Sequence, residues 1–104
     1  MNNTEDQFAT EDFPSKLTCN LYLGNENNQN INWTWKFKNK TISQRTCAAF
    51  INSNETESSM IFNETPLIAD GIYECIATNQ FGYFSRTIYL KVKSKLCIIR
   101  IIIL

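Results

Sequence analysis

Apolar and polar residues alternate with a period of two along much of this chain. In "KLTCNLYL", Leu17, Cys19, Leu21 and Leu23 share one phase, and Thr18, Asn20 and Tyr22 take the other. In "INWTWKFKNK", Ile31, Trp33, Trp35 and Phe37 alternate with Asn32, Thr34, Lys36 and Lys38. Successive side chains of a strand point to opposite faces, so both stretches predict half-buried strands. "SMIFN" predicts another, with Met60 and Phe62 inward. "GIYECIAT" predicts a strand with Tyr73, Cys75 and Ala77 inward, and "RTIYLKV" one with Ile88, Leu90 and Val92 inward. "TCAAFI" reads as a short strand whose phase the pattern does not set. "GNENNQN" and "NQFG" are turn-forming, with Gly82 expected to supply a positive φ in the latter. No stretch carries a sustained helical stripe. About seven to eight short strands separated by turns predict an all-β antiparallel sandwich, one face of each sheet packed and the other wet.

The 104 residues fit a single domain with one core. Ten basic and ten acidic side chains cancel, so charge gives no footprint for a nucleic-acid partner. The charge is nevertheless uneven. Glu5, Asp6, Glu11 and Asp12 make an acidic start, and Lys91, Lys93, Lys95 and Arg100 a basic end. Residues 1–12 read as an acidic flexible N-terminal segment, 13–93 as the domain, and 94–104 as an apolar C-terminal segment. The last nine residues, "LCIIRIIIL", are apolar apart from Arg100. As a helix they would span ~13 Å of a ~30 Å hydrocarbon core, which fits the truncated start of a membrane helix, and equally a last strand.

The chain has no histidine. That removes the commonest general base and the commonest metal ligand. Its four cysteines, Cys19, Cys47, Cys75 and Cys97, form no C-x-x-C pair, so no zinc ribbon, other metal or cofactor is expected. N-x-[ST] sequons stand at Asn2, Asn32, Asn39, Asn54 and Asn63, the last disfavoured by Pro66 after Thr65. Together they point to a secreted or cell-surface chain. The polar N-terminus "MNNTEDQFATED" is no signal peptide, so that reading requires a fragment.

Cys19 lies inward on an early strand, a tryptophan inward on the next, and Cys75 inward on a late one, two residues after Tyr73. This order resembles the immunoglobulin superfamily, most closely its I-set. "GIYECIATNQFGYFSRTIYLKV" is similar to that family's G-x-Y-x-C-x-A-x-N-x-x-G ending with L-x-V, here Gly71, Tyr73, Cys75, Ala77, Asn79, Gly82, Leu90 and Val92. The resemblance covers roughly 13–93. It implies an immunoglobulin-like Greek-key sandwich and a Cys19–Cys75 disulfide between the sheets. It also implies a core indole on that bridge and a tyrosine corner at Tyr73. Trp33 and Trp35 both qualify as the indole. Trp35, with Lys36 after it and Ile42 seven residues on, resembles the family's W-x-K-x-G-x-x-I stretch, whereas Trp33 has the more usual distance from Cys19. The family's aspartate two residues before the glycine is Ala69 here, with Asp70 one place late, which puts its usual ion pair in doubt. Cys47 and Cys97 read as free thiols, with a bond between the two and palmitoylation of Cys97 beside the apolar run as the alternatives.

The resemblance implies recognition without naming a partner. By phase, the outward residues of the sheet carrying Cys75 are Thr34, Lys36, Lys38, Ile72, Glu74, Ile76, Tyr89, Lys91 and Lys93. A glycan on Asn32 would cover part of that face. Phe81, Tyr83 and Phe84, around Gly82, form a second candidate contact. The expected function is a non-catalytic module of a cell-surface or secreted protein that binds a protein partner, a second copy included. Membrane contact is expected only through the C-terminal segment. Two alternatives stand beside it. "NQFGYFSRTIYLKV" is similar to immunoglobulin domains of fibroblast-growth-factor receptors, implying a piece of a receptor tyrosine kinase ectodomain. An intracellular I-set scaffold module would explain the missing signal peptide. A thiol enzyme comes last, because Cys75 has no histidine to activate it.

Overall fold

A computed structural model describes residues 4–20, 31–42 and 49–95. Within them lie eight strands: β1 (Glu5–Thr10), β2 (Ser15–Asn20), β3 (Asn32–Phe37), β4 (Lys40–Thr41), β5 (Ala49–Ser53), β6 (Glu57–Phe62), β7 (Gly71–Asn79) and β8 (Gly82–Lys93). A single turn of 3-10 helix, Leu67–Ala69, precedes β7. No helix among the described residues is long and apolar enough to cross a membrane. Leu21 and Leu23, Cys47 and Cys97, the sequon at Asn2 and the apolar run 96–104 lie outside the described residues.

The strands form two sheets, ordered β1-β8-β7-β3-β4 and β2-β6-β5. The hairpins β3–β4, β5–β6 and β7–β8 stay within one sheet, while the other connections cross between sheets. That is a Greek-key sandwich. Leu17, Cys19, Trp35, Met60, Phe62, Tyr73, Cys75, Ala77, Ile88 and Leu90 are buried. Each occupies the phase that the alternation assigns to the interior.

The N-terminal segment corrects the expected boundaries. Glu5–Thr10 is a strand, paired in parallel with β8 from Glu5↔Ile88 to Thr10↔Lys93. Every other pairing is antiparallel. β1 shows no apolar alternation because little of it enters the core: Ala9 packs against the core cluster, while Phe8 is exposed. Acidic residues on or just beyond β1 meet basic ones on or just beyond β8: Glu5 with Arg86, Asp6 with Lys91 at 3.1 Å, and Asp12 with Lys95 at 2.7 Å. Three of the four acidic residues at the start of the chain are thereby paired along the β1–β8 edge. The Asp12 carboxylate also raises the Lys95 ammonium above its ordinary pKa, through their hydrogen bond and then its charge.

Two backbone positions differ from the sequence expectation. Gly82 does not have a positive φ. The Asn79 side chain closes that turn instead, its Oδ1 accepting from the N–H groups of Phe81 and Gly82 at 2.9 and 3.1 Å. The glycine that the fold needs is Gly71, at φ +150°, where a Cβ would lie 2.8 Å from the Phe37 ring. Lys38 and Asn39, the two residues between β3 and β4, have φ of 51° and 68°. Positive φ at both positions suits a two-residue hairpin.

Candidate recognition surface

The core fixes the surface, so it comes first. Cys19 on β2 and Cys75 on β7 are bonded across the sandwich, with Cα atoms 6.6 Å apart. Trp35 stands opposite Cys75 in the register of β3 and β7, and Ser58 stands opposite Cys19 in that of β2 and β6. The Trp35 Nε1–H donates to Ser58 Oγ at 2.8 Å. A covalent bond and a hydrogen bond thus join the sheets side by side. Trp35, 1% exposed, is the core indole. Trp33 only packs against the cluster's margin, and its Nε1–H donates to the Asn54 carbonyl at 2.8 Å.

Tyr73 stacks on Phe37, its cross-strand partner, with ring centroids 4.6 Å apart. Its hydroxyl donates to the Ala69 carbonyl at 2.7 Å, the expected corner. Burial, and then the negative charge of Asp70, push the Tyr73 pKa well above its ordinary value. Among the described residues Asp70 makes no ion pair; its Oδ2 accepts the Val92 N–H at 2.8 Å. Displaced by one residue from the family position, the carboxylate ties the connection before β7 to β8 through the backbone.

With that interior pinned, the outward phase of β3, β7 and β8 is set. Lys36 faces Glu74 across one register line, and Ile72 faces Tyr89 across the next. Lys36, Lys38, Ile72, Glu74 and Tyr89 line one open groove of about 500 Å³, together with Asn39, Asp70, Gly71 and Thr87. Ile72 is 49% exposed there. Asn39, Asp70 and Thr87 were not expected in the groove. Asn39 and Asp70 reach it through the β3–β4 turn and the connection before β7, which strand phase does not place.

The remaining candidates separate. Lys91 is bound to Asp6 and lies over the rings of Phe8 and Tyr89, at 5.7 and 5.3 Å. It secures β1 and is less open to a partner than its phase suggests. Ile76 is half-buried, opposite Thr34 and Ser85. The aromatic loop is not one cluster. Tyr83 is exposed on the outward phase, Phe84 is opposite buried Ala77 on the inward phase, and Phe81 is exposed on the turn. Asn32 pairs with Thr78, ~20 Å along β7 from Ile72 at the usual rise per residue, so a glycan there would sit at the far end of this face. Asn39 is exposed on the groove itself. Asn54 is exposed, its Oδ1 accepting from Thr56 and Glu57. Asn63 is exposed, but Thr65 of its sequon is buried, its hydroxyl donating to the Phe13 carbonyl at 2.6 Å.

No protein-family model matches the chain, and no curated protein matches it in sequence. Solved structures match it in fold. It is similar to the titin Ig tandem domains A164-A165, with a TM-score of 0.73, 15% identity and 86% of this chain covered; it spans 44% of that chain. It is similar to the Dscam1 Ig7 domain, isoform 5, with a TM-score of 0.72, 19% identity, and 84% and 86% of the two chains covered. The titin M10–Obscurin like 1 Ig complex gives a TM-score of 0.73 at 12% identity, with 89% of each chain covered. The fold is immunoglobulin-like.

Proposed function

We propose that this chain is a non-catalytic, I-set-like recognition module of a cell-surface or secreted protein, binding a protein partner through the outward face of its five-stranded sheet. The observation that carries this reading is Ile72, exposed in a groove between Lys36, Lys38, Glu74 and Tyr89. An apolar centre with a charged rim is the usual composition of a protein contact. The Cys19–Cys75 bond and the sequons support an oxidising compartment. A second copy of the chain is the first partner to test. Sedimentation of the full chain and binding of labelled chain to cells displaying it should both show association. Ile72→Glu should weaken it at least about tenfold with an unchanged melting temperature. Loss of Ile72 without effect on a measured association would overturn the assignment of this face.

Likeness to titin domains favours a second reading, an intracellular scaffold module. Thiol labelling of the chain in its native cells separates the two. Oxidised, glycosylated protein supports the surface module, and reduced Cys19 and Cys75 support the scaffold. The receptor-kinase ectodomain reading is a special case of the surface module, and a kinase domain in the full transcript would reveal it.

A further inference from the structure

Four of the sequons lie among the described residues, and their surroundings separate them. In Asn32-Trp33-Thr34, the second and third residues are half-buried in β3 and paired with β7. In Asn63-Glu64-Thr65, the threonine is buried and its hydroxyl is spent on the Phe13 carbonyl. Asn54-Glu55-Thr56 is exposed throughout, but it joins β5 to β6 and none of its residues lines the groove. Asn39-Lys40-Thr41 is also exposed throughout, and Asn39 does line the groove. Lys38 and Asn39 make the β3–β4 turn with positive φ at both, a conformation that asparagine tolerates better than most residues. The Lys38 N–H donates to the Ile72 carbonyl at 3.1 Å, which holds this turn beside the start of β7. Asn39 is therefore one residue from a direct link to Ile72, the exposed apolar side chain of the groove.

We propose that Asn39 carries an N-linked glycan that lies over Ile72 and closes the groove to a partner, so that a chain left bare at Asn39 is the binding form. The proposal rests on the surface-module reading and supplies its regulation. An exposed turn of a secreted chain is where such an acceptor belongs. The co-reactant is an oligosaccharide carried on a polyprenyl diphosphate. The Asn39 Nδ2 forms a bond to the anomeric carbon of that oligosaccharide. The bond from this carbon to the diphosphate oxygen breaks, the diphosphate leaves with the electron pair, and one Nδ2 proton passes to a base. The attached glycan is bulky and hydrophilic. Rooted beside the Lys38–Ile72 link, it takes the space that a partner's apolar side chains need. A glycan on Asn32 roots opposite Thr78, at the far end of β7, and leaves Ile72 open.

Peptide mass spectrometry of the chain from its native cells should find Asn39 glycosylated. Hydroxyl-radical oxidation of the full chain, secreted from cultured animal cells behind a cleaved leader, then reads the cover. Oxidation of Ile72 should rise about twofold or more in Thr41→Val, which removes the sequon, and stay at the parent level in Thr41→Ser, which keeps it. Oxidation of Phe81, exposed on the β7–β8 turn, should not change. Equal melting temperatures separate lost cover from lost fold. If Thr41→Val unfolds, Asn39→Asp replaces it, since aspartate also tolerates positive φ. A native chain bare at Asn39 would overturn the proposal. If its Cys19 and Cys75 are reduced as well, the surface-module reading fails with it; if they are oxidised, that reading stands and only the glycan is lost. Equal Ile72 oxidation with and without the glycan would overturn the closure of the groove.

Discussion

The Tyr73 hydroxyl donates to the carbonyl oxygen of Ala69, four residues earlier, across the entry into β7. The phenol is 2% exposed, and its neutral form is favoured by burial and by Asp70. Because its folded pKa lies above its unfolded value of about 10, its contribution is complete below pH 10 and falls as pH rises further. Urea unfolding between pH 8 and 11.5 should show stability dropping above pH 10 by up to ~1.4 kcal/mol per pH unit from this group. Tyr73→Phe should cost about 1–3 kcal/mol at pH 7 and remove that part of the alkaline slope. An identical slope in the variant would show that other groups carry it.

The paired links between the sheets predict a contrast between the two tryptophans. Trp35→Ala should cost about 3–5 kcal/mol, because it opens a cavity and strips Ser58 of a donor. Trp33→Phe should cost under ~1 kcal/mol, its donor being spent on an exposed carbonyl. Reducing Cys19–Cys75, 56 residues apart in sequence, should cost ~4 kcal/mol in the chain-entropy model. Denaturant midpoints of the three species against the parent measure this order.

Gly71→Ala should destabilise by about 1–3 kcal/mol, through its positive φ and the Phe37 ring that its Cβ would strike. Gly82→Ala should be nearly neutral, because open space surrounds that position. Thermal melts of the two variants check both. Equal losses would contradict the assignment of the closing turn to Asn79.

β1 is held by backbone pairing, by Ala9 and by exposed ion pairs. Each pair is exposed to solvent and weakens as the screening length falls to ~3 Å in 1 M salt. Hydrogen exchange of the β1 amides should accelerate in 1 M NaCl, while amides of β3 and β7 change little. Asp6→Asn should act in the same direction without salt, releasing Lys91 from its carboxylate.

Much of the fold was legible because burial on one face of a strand imposes a period of two. Cys19, Met60, Phe62, Tyr73, Ile88 and Leu90 declared their phase, and with it the sandwich. Ser58 did not, since a small polar residue reads as outward until an indole donor is found beside it. β1 did not either. Parallel pairing with the last strand is a contact across some eighty residues, and acidic side chains that meet lysines and arginine leave no apolar rhythm. The candidate recognition groove was half legible: Lys36, Glu74, Ile72 and Tyr89 follow from phase, whereas Asn39 and Asp70 arrive through turns.

The sequence by itself determined most of the strands and the inward cysteines, because these follow from local periodicity, while the tyrosine corner was what the family resemblance implied. Tertiary structure decided which tryptophan fills the centre, which glycine is indispensable and what Asp70 holds. It also decided that the loop holding Phe13 is joined to the connection before β7 through Thr65. Each of those depends on what a distant strand or loop places opposite the residue, and the distance along the chain carries no record of it.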